Sequence, residues 1–334
     1  MNILIWHVHG SWTNAFVQGR HRYLLPTLPE RGPWGGGRPA AWDWPASAVE
    51  VGPEQLADEP VDVLVLQRPE EFDLAARWLR RRPGRDVPTV FLEHNAPRGP
   101  AASSRHPVAD RDDLTLVHVT HFNAVMWDAG NTRTEVVEHG IVDPGYRYTG
   151  DLDAAAVVIN EPLRRRRVTG TDLLPGFARV GPLDVFGMGT ENLQDELGPD
   201  VRGCGDLPQD RMHTELARRR VYLHPLRWTS LGLSLLEAMH LGMPVLALGT
   251  TEAAHAVPPE VGVCATDPAR LARAFGELLA DRALARQLGR AGREHALAHF
   301  GLDRFLDRWD QVLAEVCGDH TRRSGGVPAA PVRR

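Results

Sequence analysis

The 334-residue chain contains no lysine; all 38 of its Lys/Arg positions are arginine, beside 15 histidines. That absence excludes Schiff-base chemistry, a pyridoxal-phosphate lysine and a P-loop lysine. Any anion clamp must therefore be built from Arg, His, hydroxyls or backbone N–H groups. Cysteine is scarce: Cys204, Cys264 and Cys317 are far apart and odd in number. This argues against a disulfide framework or a cysteine zinc site and fits a reducing cytoplasm. No apolar run reaches membrane-spanning length, so no transmembrane segment is expected. Met1 to Gly10 lacks a basic n-region and a cleavage site, so no signal peptide is expected and the predicted location is cytoplasmic. Excess positive charge is missing too. A net charge of −5 gives no reason to expect nucleic acid or an anionic membrane as partner.

What is present is ordinary for a globular protein: 43% hydrophobic and 24% charged residues. The length suits two domains. Apolar strands alternate with amphipathic helices along the whole chain. In the first half, Ile3 to Val8 reads as a buried strand, Gly10 to Thr13 as a turn, and Asn14 to Leu25 as a helix. Strands follow at Val61 to Leu66, Thr89 to Leu92, Leu114 to Val119 and Thr134 to Val137. The pattern breaks between Pro144 and Asp153, and a second series restarts at Ala155. This order predicts two doubly wound α/β domains, 1–148 and 149–301, facing across a cleft. The helix 302–316 is expected to pack back on the first domain, and 318–334 to form a disordered tail.

Leu226 to Thr251 is the densest stretch. Thr229, Ser230 and Gly232 make a small, polar loop that opens into helix formers from Leu233 to Leu241. Gly242 and Pro244 end that helix, and Val245 to Leu248 form a short buried strand. A loop opening straight into a helix N-terminus suits phosphate. Ser234-x-x-Glu237 also fits a capping box, in which Glu237 only closes the helix start.

Other constellations sit at expected strand ends. Arg164 to Arg167 lie between a strand and a helix start, where arginines grip phosphate or merely face solvent. His94 leaves its strand directly into a loop beside the expected cleft. His7 and His9 have the spacing of two zinc ligands on one strand face, with His94, Asp128 and His139 as possible companions.

Gly232 to Met239 followed by Gly242-Met-Pro244-Val resembles the donor-site signature of the GT-B glycosyltransferases of family four. Gly170-Thr-Asp172-Leu-Leu, Gly262-Val-Cys and the segment Leu288 to Phe300 resemble further parts of that family. The resemblance implies a GT-B fold of two Rossmann-like domains. It also implies retaining, metal-independent transfer of a sugar from a nucleotide-diphosphate sugar, which is a co-substrate, so no cofactor is needed. The acceptor would be an unidentified small molecule, lipid or glycan. Glu237 would bind the nucleotide ribose, and the N–H groups of Leu231, Gly232 and Leu233 the diphosphate. Gly205, Asp206 and Leu207 would lie near the base. Gly10, Ser11 and Trp12 would form a lip over the sugar, with His94 near the reacting groups.

Two departures stand out. The family's first donor-site glutamate falls at Thr229, within Thr229-Ser230-Leu231-Gly232. Its phosphate-clamping lysine falls near Thr169, so one of Arg164 to Arg167 would have to replace or supplement it, with Arg164, Arg166 and Arg167 named as donor-binding candidates. Three alternatives follow: a non-catalytic GT-B protein that binds a nucleotide sugar, an epimerase on the same fold, and a metal-dependent hydrolase using His7 and His9.

Overall fold

The computed structural model describes residues 1–39 and 42–325. The chain divides into two compact units, one formed by Met1–Glu138 with the chain from Asp303 onward, the other by His139–Leu302.

The first unit is built on seven parallel strands. These are β1 (Asn2–Ile5), β2 (Arg22–Pro26), β3 (Ala48–Val51), β4 (Val63–Leu66), β5 (Thr89–Glu93), β6 (Thr115–His118) and β7 (Arg133–Val136), in the order β3-β2-β1-β4-β5-β6-β7. β1 pairs in parallel with both β2 and β4, so the winding reverses direction at β1. Its Ile3, Leu4 and Ile5 are fully buried, as strands covered on both faces must be.

The region after β1 departs from expectation. The helix spans Gly10–Phe16, so Gly10 to Thr13 belong to its first turn, and the predicted helix 14–25 gives way to β2. Tyr23, Leu24 and Leu25 are buried there beside β1. Sheet pairing overrides a pattern that had suited a helix. The histidines also move. β1 ends at Ile5, so His7 and His9 lie beyond the strand and not on one strand face.

The last helix spans Leu302–Gly325, longer than the predicted 302–316, and this corrects the expected disorder for 318–325. Arg133 of β7 explains the extension by pairing with Glu315 at 2.6 Å and with Asp319 at 2.5 Å. Residues 326–334 lie outside the described residues. Trp309 of this helix is 1% exposed and packs edge-on against Trp12 and Phe16, with ring centroids 5.6 and 5.0 Å apart. Aromatic rings bury large apolar areas and favour such edge contacts.

The second unit has six parallel strands. These are β8 (Leu152–Val158), β9 (Leu183–Phe186), β10 (Val201–Gly205), β11 (Arg219–His224), β12 (Val245–Leu248) and β13 (Gly262–Ala265), in the order β10-β9-β8-β11-β12-β13. Alternate residues feed two cores. Ala156, Tyr222, Val245 and Ala247 face one layer of helices that includes Leu235 and Met239. Ala155, Val221, Leu223 and Leu246 face the other, which includes Phe177, Leu271 and Phe275. That is the period of two expected when helices cover both faces of a sheet. The winding reverses between β8 and β11, and this is where open α/β sheets leave a crevice.

Two predictions follow from these cores. Trp309→Ala should destabilise the first unit by about 3–5 kcal/mol in denaturant unfolding, as large core truncations do. A variant within error of the parent would show that the last helix is not part of that core. The second concerns acid. Burial lowers the pKa values of His9, His118 and His224 from the usual 6.5 to about 4. These imidazoles stay neutral in the folded chain while the unfolded chain takes up protons. Stability is therefore present above 6.5 and is lost as pH falls towards 4. Melting temperature should drop across that window, and His118→Gln should flatten the drop. A parent protein whose melting temperature is constant across it would contradict the assignment.

Candidate functional site

In the second unit, four loops emerge at the carboxyl-terminal edge of the parallel sheet: those after β8, β10, β11 and β12. The loop after β11 is stitched on both sides. The N–H groups of Arg227 and Trp228 both donate to the Val168 carbonyl, at 2.9 and 3.2 Å. On the other flank, Thr250 Oγ1 donates to the Leu226 carbonyl at 2.7 Å. Arg227 also forks onto Asp172, with Nη2 2.9 Å from Oδ2. Gly170 makes the close approach possible. Its φ is +71°, and a Cβ there would fall 1.9 Å from the Pro225 carbonyl oxygen, so only glycine fits.

The helix Leu233–His240 opens at Gly232, whose side chain position is filled by its neighbour. A Cβ on Gly232 would lie 2.5 Å from Cε1 of the buried His224. No side chain caps this N-terminus. The capping box is therefore a false match. Ser234 is the second helical residue, and its hydroxyl accepts a hydrogen bond from Tyr222 at 2.8 Å. Glu237 lies one turn into the helix, 3% exposed. Its Oε1 accepts from Gln209 Nε2 at 3.0 Å, and its Oε2 is 3.5 Å from His213 Nε2. Both partners come from the helix Gln209–Arg218, which begins just after the Gly205–Leu207 loop. Asp206 in that loop is exposed, and Leu207 packs against the core that holds Leu231 and Leu235. The uncapped N–H groups, Glu237 and the Gly205–Leu207 loop thus all belong to one end of the sheet.

The arginine run resolves differently from the sequence reading. Arg164 pairs with Glu161 and Arg167 with Asp172, each at 3.4 Å, and both side chains are more than two-thirds exposed. Arg166 is exposed as well. Arg165, part of that run but not among the three named donor-binding candidates, is the half-buried one. Burial lowers its pKa, the neighbouring Arg164 lowers it further, and no acid acts in the opposite direction. Among the described residues no acid pairs with it, and a desolvated cation so placed is poised for an anion. Thr169 does not take the place of a phosphate ligand. Its side chain is buried, and its hydroxyl meets Thr171 Oγ1 at 2.9 Å. Thr229 is half-buried and Ser230 buried, both in the loop after β11.

In the first unit, His94 lies just past β5. Its Nε2 is 2.9 Å from Gln67 Oε1, and its ring lies 4.1 Å from that of His9. Gln67 Nε2 donates to the Trp6 carbonyl at 2.7 Å, which orients the amide. Its oxygen must then accept from His94, so the His94 proton sits on Nε2. The lip assignment fails for Trp12. Its ring is 1% exposed, packed among Phe16, Phe305, Trp309 and His94. Gly10 and Ser11 stay partly exposed in the same helical turn. Among the described residues no three-ligand group includes His7 or His9; His7 instead meets the edge of Trp44, ring centroids 5.0 Å apart.

Residues 188–295, which carry the β10, β11 and β12 loops, match the family model described as glycosyl transferases group 1. No curated protein sequence matches the chain. Among solved structures it is similar to a sucrose-phosphate synthase from Thermosynechococcus elongatus. The identity is 16% and the TM-score 0.71, over 95% of this chain and 99% of that one. It is similar also to HepE from Anabaena, solved with UDP and glucose, at 12% identity and a TM-score of 0.66 over 94% and 100%. TarM from S. aureus matches at 12% identity and a TM-score of 0.62 over 75% of this chain, which spans only 55% of TarM. With two parallel α/β units of Rossmann type and these neighbours, the chain has the GT-B glycosyltransferase fold.

Proposed function

We propose that the protein is a glycosyltransferase that moves a sugar from a nucleotide-diphosphate sugar to an acceptor hydroxyl. The observation that carries this reading is the uncapped N-terminus of Leu233–His240 at the reversal point of the second sheet, with the buried Glu237 one turn behind it. Backbone N–H groups and the positive end of the helix dipole suit a diphosphate. A buried carboxylate held by Gln209 and His213 suits the two hydroxyls of a ribose. Arg165 supplies the positive charge that the lysine-free chain must find elsewhere. In transfer, the bond from C1 to the diphosphate oxygen breaks with its electron pair as C1 bonds the acceptor oxygen, whose hydroxyl proton passes to the departing diphosphate. Stabilising the departing diphosphate is then the main task of Arg165 and the helix start. These cationic and N–H groups support a metal-independent reaction, and the family resemblance supports retention of configuration. His94 is proposed to serve the reacting sugar, and Thr229 to contact it with a neutral hydroxyl.

HepE, TarM and the pneumococcal O-GlcNAc transferase GtfA were all solved with UDP, which makes UDP the first nucleotide to try here. The test is a thermal-shift panel with UDP, GDP and ADP. One nucleotide should raise the melting temperature, since a ligand stabilises by its affinity for the folded state, and Glu237→Ala should remove the rise. Absence of any shift in the parent would refute the reading. Arg165 is tested separately by titration calorimetry. Arg165→Ala should weaken the nucleoside diphosphate roughly tenfold, the scale of a charge-assisted contact. Arg164→Ala and Arg167→Ala should change it little. Equal effects from all three would mean a diffuse field and not a clamp.

A further inference from the structure

We propose that the long connection between β2 and β3 is the acceptor-binding element of the first unit, and that the acceptor is a carbohydrate whose ring packs on Trp34 and Trp42. The proposal deepens the glycosyltransferase reading above and rests on it.

The connection runs from 27 to 47 and holds no helix or strand among its described residues, only an isolated bridge between Thr27 and Gly36. Connections longer than about 15 residues without secondary structure are uncommon and usually functional. This one is also held in place. Arg38 donates from Nη1 to the Pro45 and Ala48 carbonyls, at 3.0 and 2.8 Å, and from Nη2 to that of Trp44. Arg31 reaches the Gly36 and Arg38 carbonyls and pairs with Glu50 of β3 at 2.9 Å. Two further bonds tie the connection to neighbouring strand ends. Trp6 Nε1 donates to the Trp34 carbonyl at 3.0 Å, and Arg68 Nη1 to the Pro33 carbonyl at 2.8 Å. Trp6 follows β1 and Arg68 follows β4, the two strands between which the winding of the first sheet reverses. That is where open α/β sheets receive ligands. A loop ordered in advance loses little entropy when it binds.

Three tryptophans of the connection gather at this seam, and they differ in exposure. Trp44 is 2% exposed and meets His7 as part of the interior. Trp34 and Trp42 are only partly buried. The Arg68 guanidinium lies 4.1 Å from the Trp34 ring centroid, and Glu71 holds it there at 2.7 Å. Trp42 lies against Gly10, where an added Cβ would fall 3.3 Å from its Cζ2. Both indoles are thus positioned by neighbours while part of each meets solvent. Indole is favoured where one side of a contact is apolar and the other wet. A sugar ring has that character, with an apolar C–H face edged by hydroxyls. A lipid chain would need aliphatic lining, and Leu28 is the sole Leu, Ile, Val or Met in 27–47. The acceptor class is accordingly a sugar unit that presents a C–H face to the two indoles.

The test is a glycan array probed with the full chain, followed by calorimetry with the oligosaccharide it binds best. The parent should bind a subset of the glycans. Trp34→Ala and Trp42→Ala should each weaken the chosen oligosaccharide about tenfold, the upper scale of a stacked aromatic contact, while nucleoside diphosphate affinity stays within twofold. Trp42→Phe, which keeps an aromatic face, should retain most of the binding. The proposal is overturned if the parent binds no glycan, or if either alanine variant binds the oligosaccharide as the parent does. It is overturned equally if the variants lose oligosaccharide and nucleoside diphosphate together, or if the parent transfers sugar to a lipid that carries no sugar unit. Should Trp34→Ala fold poorly, Trp42→Ala must show the selective loss by itself. A parent that binds glycans through these residues but binds no nucleoside diphosphate would refute the glycosyltransferase reading instead, an outcome distinct from these.

Discussion

One carbonyl oxygen organises the second unit. Val168 accepts hydrogen bonds from two successive N–H groups, Arg227 and Trp228. Through them the loop after β8 is joined to the loop after β11. Without that junction the two loops would diverge, because the winding of the sheet sends the chain in opposite directions from β8 and β11. The Gly170 backbone lies on the Pro225 carbonyl and the Arg227–Asp172 fork closes the same seam. The half-buried Arg165 and the uncapped helix start are thereby parts of one rigid assembly. A site on two independent loops would have to order both each time it bound, and that entropy would be lost from affinity.

The same unit shows how polar groups divide between structure and binding. Asp172 and Glu161 are committed to arginines at the surface, where such pairs contribute little to stability. Asp184 is 2% exposed and held by Arg202 and Arg219, both at 2.8 Å. It lies on β9, and removing either arginine would leave a buried charge uncompensated. Arg165 belongs to neither group: its partial burial carries a cost that no acid among the described residues offsets, and that is the physical mark of a group arranged for a ligand.

Much of this architecture was legible in the sequence. Val245–Leu248 matched to the residue, because it is a short apolar run bounded by Pro244 and Gly249. The helix from Leu233 was equally clear. What failed did so for reasons of tertiary packing. Four consecutive arginines look alike in sequence, and only the fold decides which is covered. The spacing of Ser234 and Glu237 satisfied a capping rule, but the helix begins before Ser234, and Tyr222 claims its hydroxyl. Trp12 read as a loop residue near a ligand because nothing local announces that Trp309, nearly three hundred positions away, will cover it. β2 was taken for the end of a helix, since Arg22–Pro26 carries no alternation of its own.

The last helix has a consequence for biosynthesis. Because Trp309 completes the core around Trp12 and Phe16, the first unit lacks part of its own interior until residue 309 has left the ribosome. The second unit is continuous in the chain and has all its strands well before then. Domains that emerge first on the ribosome commonly fold first. Here the order is inverted: the later-translated sheet is ready while the earlier one still waits, with aromatic surface uncovered, for the residues from Asp303 onward. During that interval the nascent first half is the segment that a chaperone would need to shield.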